Sequence, residues 1–347
     1  MNERKVTIRD VAKAAGVSIT TVSHALNGYD DVSAATRQKV LEASRNFDYT
    51  PDPAARTLGG ISRKILALIV VGKMTPDDSA SYLDGIMSGA YRTAMERDYD
   101  FMLLTAPKEK QESMSFKQFC LSRELSGAIL YGMGTDDLYF REAANGPIPC
   151  CSVDMKVEGE SCRYLSIDNQ EASRKITEVM IEEGYRNLAM VNGTDVAHVS
   201  RERLKGFQTA LEEHRLPFRK NWVVNGMWEA DTAQRKAEKL IHDHPEIDGF
   251  VCACDLMAIG AWRAVRSAGF RVPEDIGVCG FDGITAAEYY HGGITTVQQH
   301  PYEVGSNAAH IVMDLIDGKD VPLKTNREFE IIRRHSTDHY LHLPPVS

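Results

Sequence analysis

The sequence predicts an all-α head followed by an α/β body of two lobes. The first sixty residues carry short helical periods separated by capping and turn residues. From Ile65 onward, short apolar runs alternate with longer amphipathic stretches. Such alternation builds β-α-β units on parallel sheets, and about ten units are too many for one ordinary sheet. A length of 347 residues agrees with several domains, since single domains usually run ~100–200 residues.

In the head, Thr7 precedes the helically spaced set Ile8, Val11, Ala12 and Ala15, and Thr7 with Asp10 makes a capping-box start. Gly16 ends that helix, Ser18 caps a second from Ile19 to Leu26, and Asn27-Gly28 stops it. Ser33 caps a third from Ala34 to about Phe47. A small-residue stretch from Ala54 to Gly60 then follows Pro51 and Pro53 and predicts one short helical turn between flexible segments.

In the body, strands are expected at Ile65–Val71, Asp100–Leu104, Gly127–Leu130, Cys150–Val153, Leu188–Val191, Gly249–Cys254 and Ile276–Gly280. Helices are expected at Tyr82–Glu96, Gln170–Glu183, Ser200–His214, Thr232–His242 and Met257–Ala268.

The net charge of −9 argues against nucleic acid only as an average. Residues 1–60 hold eight Lys+Arg against seven Asp+Glu, and the remainder of the chain carries a net −10. The acidic excess therefore belongs to the body. The N-terminus has no apolar signal segment, and Ile65–Val71 is far short of a membrane span, so a cytoplasmic protein without a membrane partner is expected. Seven cysteines, an odd number, read as free thiols in a reducing compartment.

Two helices joined at Gly16-Val17-Ser18 have the proportions of a helix-turn-helix whose second helix enters the major groove. Ile19 can meet a thymine methyl, Thr20 a base edge or phosphate, and His24 a purine acceptor. Ser18, Thr21 and Ser23 are placed for phosphates, with Thr7 and Asn27 at the ends of the motif. Val22 and Leu26 face the head's own core.

The run Val6–Ser18, then Thr21–Gly28, Val32-Ser33, Thr36-Arg37, Val40-Leu41 and Tyr49 to Leu58 closely resembles the LacI/GalR (lactose repressor-like) family of bacterial transcription regulators. The resemblance implies that Ile19, Thr20 and His24 read bases, with His24 where many members carry Arg. It also implies that Ala55, Arg56 and Leu58 belong to a hinge helix that pairs with its twin in the minor groove, Leu58 acting as a wedge. Further matches at Ser166–Asn169, Arg203–Phe207, Asp255–Gly260, Ile276–Asp282 and Ile294–Gln299 imply a periplasmic-binding-protein-like core of two Rossmann-like lobes. The implied division is a head at 1–50, a hinge at 51–62, a core at 63–335 and a tail at 336–347. Within the core, the N-lobe takes about 63–167 and 295–325, and the C-lobe about 168–293 and 326–340.

Four residues of the body suit a polar ligand. Arg203 offers a fork of donors, Asp282 ends a buried strand where open α/β sheets bind ligands, Trp228 can stack on a sugar, and Asp154 ends a strand of the other lobe. The resemblance places all four in an effector cleft, with Tyr131 and Gln299 at weaker positions and Tyr82 beside it. An Arg203–Asp282 structural pair, a core Trp228 and a capping Asp154 are the bland alternatives. Asp255 is read as a helix cap or a direct ligand. Ser79–Tyr82 and Cys254 depart from the family pattern near the cleft, so a relative's effector cannot be copied.

Cys252/Cys254 and His242/His244 lack a second pair at finger spacing, and Gly132-Met-Gly134 lacks a third glycine. No catalytic motif is present, so no metal, cofactor or enzymatic activity is expected. The expectation is a homodimeric repressor on a pseudo-palindromic double-stranded operator, controlled by a small carbohydrate, or alternatively co-repressed by a purine or nucleobase.

Overall fold

A computed structural model describes residues 7–26, 31–47, 64–71, 82–157 and 159–338. Asn27, Ala55, Arg56, Leu58, the 51–62 hinge and residues 339–347 lie outside the described residues. Met1–Arg63 and Lys64–Ser347 form two compact units.

The head has α1 (Ile8–Ala15), α2 (Ile19–Leu26) and α3 (Ala34–Asn46). Thr7 donates its N–H (2.8 Å) and hydroxyl (2.7 Å) to Asp10, closing the start of α1. Gly16 ends α1 at φ 68, in the left-handed region where a Cβ is disfavoured. Ser18 accepts the Thr21 N–H at 3.0 Å, and Ser33 accepts that of Thr36 at 3.2 Å, so each side chain caps the helix that follows. Val11, Ala12, Val22, Ala25, Val40 and Ala43 form the small core.

The body holds two six-stranded sheets. Its first lobe runs β1 (Ile65–Val70), α4 (Tyr82–Glu96), β2 (Asp100–Thr105), α5 (Lys108–Ser113), α6 (Phe116–Leu121), β3 (Gly127–Tyr131), α7 (Leu138–Ala144), β4 (Cys150–Val153) and β5 (Cys162–Ile167). The second runs α8 (Asn169–Glu182), β6 (Leu188–Asn192), α9 (His198–Glu213), β7 (Val223–Asn225), α10 (Ala230–Asp243), β8 (Gly249–Cys252), α11 (Asp255–Ser267), β9 (Gly277–Asp282), α12 (Thr285–Tyr289) and β10 (Thr295–Gln298). The chain returns to the first lobe with α13 (Pro301–Ile316) and β11 (Lys324–Arg327), then adds β12 (Glu330–Ile332) to the second.

The first sheet has strand order β11-β5-β4-β3-β1-β2 and is parallel throughout. The second has order β12-β10-β9-β8-β6-β7, parallel except where β12 meets β10. Central strands covered on both faces read as apolar runs, as β1 does with every residue buried.

Two lobe boundaries differ from the sequence expectation. Thr295–Gln298 pairs with β9 and β12, so it belongs to the second lobe, and Arg327 still pairs with Ile167 of the first. The crossings therefore fall after Gln298 and after Arg327. Ser336 and Thr337 are buried against Thr295 at 2.8 and 2.7 Å, which makes them part of the second lobe and not of a tail. On the first lobe, α4 and α13 meet at Gly89 and Gly305, where a Cβ would stand 1.9 Å from Tyr302 O and Ile86 O respectively. That close approach sets the start of α4 beside the crossing at Gln299.

Candidate functional site

A cavity of about 400 Å³ opens within the body. Tyr82, Tyr131 and Asp154 line it from the first lobe, and Arg203, Trp228 and Asp282 from the second. Six of the eight sequence-derived effector residues are thus brought together. Asp154 and Asp282 each follow or end a strand at its C-terminal edge, where ligands bind in open α/β sheets.

Arg203 organises the floor. Only 2% exposed, it donates Nε to Asn169 Oδ1 at 2.8 Å and Nη1 to Ala253 O at 2.5 Å. Asn169 Nδ2 donates to Ser166 Oγ at 2.9 Å, and the Ser166 hydroxyl donates to Asp154 Oδ1 at 2.7 Å. The Ser166–Asn169 motif thereby carries a hydrogen-bond relay from a second-lobe cation to a first-lobe carboxylate. Arg203 Nη1 also stands 3.7 Å from Asp282 Oδ1, and the guanidinium lies 3.6 Å above the Phe281 ring. The alternatives weighed for Arg203 and Asp282 are therefore not exclusive, because the pair is buried and also faces the cavity.

Burial pushes the carboxyls of Asp282 and Asp154 above their ordinary range, and the nearby Arg203 charge opposes this in both. Two carboxylates share one guanidinium whose best hydrogen bonds go elsewhere, so the floor favours a ligand bringing hydroxyl donors. Burial also raises the Tyr82 phenol and lowers the His198 imidazole at the cavity wall.

The aromatic walls are held by local geometry. Tyr82 and Tyr131 lie 6.2 Å apart and tilted by 49°. Trp228 follows Met227, and both have positive φ (64 and 57), a conformation non-glycine residues adopt at some cost. Its indole covers Gly193, where a Cβ would fall 2.0 Å from the ring.

The sequence reading missed the mouth of the cavity, where Lys108, Asp136, Asp137, His198 and Glu229 join the lining. Lys108 pairs with Asp136, and Asp137 accepts the Gly134 N–H at 2.7 Å. The Gly132–Asp137 segment, set aside as a poor dinucleotide loop, was the available signal. Thr135 N–H donates to Val196 O at 3.1 Å across the mouth.

Two sequence-derived residues do not reach the cavity. Gln299 is fully buried; it donates Nε2 to Asp282 Oδ1 at 2.8 Å and accepts the Tyr82 hydroxyl at 3.3 Å. Asp255 is fully buried too, and it is not the helix cap, since Cys254 occupies that position and its Sγ accepts the Met257 N–H. The reason in both cases is depth: each lies one layer behind Asp282. Trp228 is half-buried at the cavity and so not a core residue. Asp154 accepts from Ser166 and does not start a helix. All seven cysteines are buried free thiols. Among the described residues, no helix is long and apolar enough to cross a membrane.

In the head, Ile19 (45% exposed) and Thr20 project from the start of α2, with His24 one turn on from Thr20. His24 Nδ1 donates to Asp31 at 2.6 Å, which fixes the ring. Ser18 and Thr21 are joined at 2.8 Å within the cap, while Thr7 is exposed and Ser23 half-buried.

The comparisons with known proteins agree with this geometry. A model described as bacterial regulatory proteins, lacI family, matches residues 7–52, and one described as a periplasmic binding protein-like domain matches residues 177–337. The chain is 30% identical over 315 residues to the HTH-type transcriptional repressor PurR of Vibrio cholerae serotype O1, covering 90% of this chain and 92% of that one. It is 30% identical over 336 residues to the HTH-type transcriptional regulator CelR of Thermobifida fusca, covering 96% and 98%. A solved CelR–cellobiose complex superposes with a TM-score of 0.72 at 28% identity, covering 95% of this chain and 99% of that one.

A helix-turn-helix head and a two-lobed body, in a chain whose relatives are transcriptional repressors and regulators, make this a DNA-binding transcriptional regulator and not an enzyme. The chain belongs to the LacI family of bacterial regulatory proteins.

Proposed function

We propose that the chain is a repressor whose hold on a pseudo-palindromic operator is set by an uncharged carbohydrate bound between the lobes. The observation that carries this reading is the placement of Asp154 and Asp282 on opposite lobes of one cavity with Arg203 on its floor. Carboxylates accept paired hydroxyl bonds, and Trp228 offers a face for the apolar side of a sugar ring. Asp136, Asp137 and Glu229 add negative charge at the mouth, where Lys108 is taken by Asp136. A phosphorylated or carboxylate effector would meet a repulsive field there. The solved relative with cellobiose points the same way.

Ile19, Thr20 and His24 read the half-site in this proposal, and Thr7, Ser18, Thr21 and Ser23 face phosphates. A two-fold dimer matches the symmetry of the operator. It is supported by Tyr91, Phe101 and Leu103, which place an apolar patch at the edge strand β2, with Tyr91 and Phe101 rings 5.9 Å apart.

A purine co-repressor is the second reading, favoured by three aromatic side chains at the cavity and by the PurR relative. The 49° tilt between Tyr82 and Tyr131 counts against it, since a flat base is best held between parallel faces. A thermal-shift series with neutral mono- and disaccharides including cellobiose, their phosphates, and purine bases tests the choice. Stabilisation by a neutral sugar is expected. Stabilisation by purine bases or sugar phosphates alone would replace this reading.

A further inference from the structure

Asp255 lies outside the cavity lining yet touches the backbone that carries Asp282. Its Oδ2 accepts the N–H groups of Gly283 at 2.8 Å and Ile284 at 2.9 Å, and its Oδ1 accepts the Thr296 hydroxyl at 2.6 Å. These amides form the turn that directly follows Asp282. The turn is a demanding one, with φ 115 at Asp282 and 73 at Gly283. Non-glycine residues rarely hold such a φ unless their surroundings impose it. Gly280 makes room for the contact, since a Cβ there would fall 2.2 Å from Asp255 Oδ1.

We infer that Asp255 is a positioning residue of the effector cleft: from the start of α11 it holds Gly283, Ile284 and Thr296 together, forces the backbone at Asp282 through its positive-φ turn, and so aims the Asp282 carboxylate at Gln299 and the cavity. The inference rests on reading Asp282 as an effector-binding group. It separates two jobs that the sequence merges, since Asp282 faces the ligand while Asp255 sets its direction.

The charged and titratable groups facing Asp255 are Asp282 on β9, Arg334 beyond β12, and the thiols of Cys252, Cys254 and Cys279. Burial keeps those thiols protonated across the neutral range. Burial also pushes the Asp255 carboxyl up to about 7, against its hydrogen bonds and Arg334. Opening the turn hydrates this carboxyl and returns it toward its ordinary range, so the closed turn weakens as the pH rises through neutrality.

Hydrogen exchange read by mass spectrometry on the full chain tests this without any effector, so a failure here is distinct from a wrong effector class. Peptides spanning residues 280–287 are followed from about pH 5.5 to 8.5, corrected for intrinsic exchange and referred to peptides of α10. In the wild type, protection should fall about tenfold through that window, and in Asp255→Asn it should fall less, by the share that Asp282 alone contributes. Identical profiles in the two proteins would overturn the inference. A crystal structure of Asp255→Ala should show Asp282 out of its positive-φ turn and its contact with Gln299 lost; an unchanged turn would equally overturn it. If that variant does not fold, the Asp255→Asn profile decides alone.

Discussion

Arg203 and Asn169 meet through an Nε–Oδ1 hydrogen bond of 2.8 Å, just beyond the point where the chain first crosses from one sheet to the other. Through Ser166 that bond reaches Asp154, so the two lobes share one polar relay under the cavity.

Asn169→Ala should therefore cost more than a surface change. It leaves Arg203 Nε without its present acceptor and takes one donor from Ser166 Oγ, which keeps its bond to Asp154, all in a buried setting. The loss should be roughly 1–3 kcal/mol, the usual cost of buried unsatisfied groups. Urea midpoints for wild type and variant measure it, and an unchanged midpoint would show that the relay adds nothing to stability.

Stability should fall as the pH rises from about 4 to 7. The folded value for Asp255, about 7, lies above its unfolded value near 4. A group raised on folding contributes its stability in full below the unfolded value and loses it as the pH passes through the folded one. Asp282 and Asp154 shift in the same direction. Urea unfolding at pH 5 and 7.5 should differ by on the order of a few kcal/mol, with Asp255→Asn removing part of the slope. A slope of opposite sign would mean that these carboxyls are not protonated by burial.

Gly193→Ala should disturb the cleft more than its size suggests. The new Cβ would fall 2.0 Å from the Trp228 indole, which cannot stay where it is. A changed Trp228 emission, identified against Trp228→Phe, is expected. The binding of any stabilising sugar should weaken about tenfold, an effect of ~1.4 kcal/mol.

Thr20→Ala and Ile19→Ala test the head. Each should reduce operator affinity by roughly 1–3 kcal/mol while leaving binding to unrelated DNA nearly unchanged. Equal losses on both DNAs, measured at one salt concentration, would place these residues on the backbone rather than on the bases.

The head was legible because its signals are local: Thr7, Ser18 and Ser33 cap the helices they precede, and Gly16 closes α1. Seven strands, from Ile65–Val70 to Gly277–Asp282, were legible for the same reason, while the internal strands Cys162–Ile167 and Thr295–Gln298 were not read as strands. Val223–Asn225, Lys324–Arg327 and Glu330–Ile332 were not, because edge strands this short are paired by tertiary contact and carry no alternation to read. The cleft was legible where residues sit at strand ends, as Asp154 and Asp282 do. Asp255 and Gln299 stand one layer deeper, and nothing in their local sequence separates touching the ligand from holding the residue that does.

The most direct measurement is operator affinity by fluorescence anisotropy, titrated with a neutral sugar that stabilises the protein. The affinity should change by a factor of about 5–150, the usual range of allosteric coupling. Asp282→Asn should abolish that response while keeping the sugar-free affinity. If no sugar shifts operator affinity, or if the Asp282→Asn protein responds like the wild type, control from the cleft is contradicted.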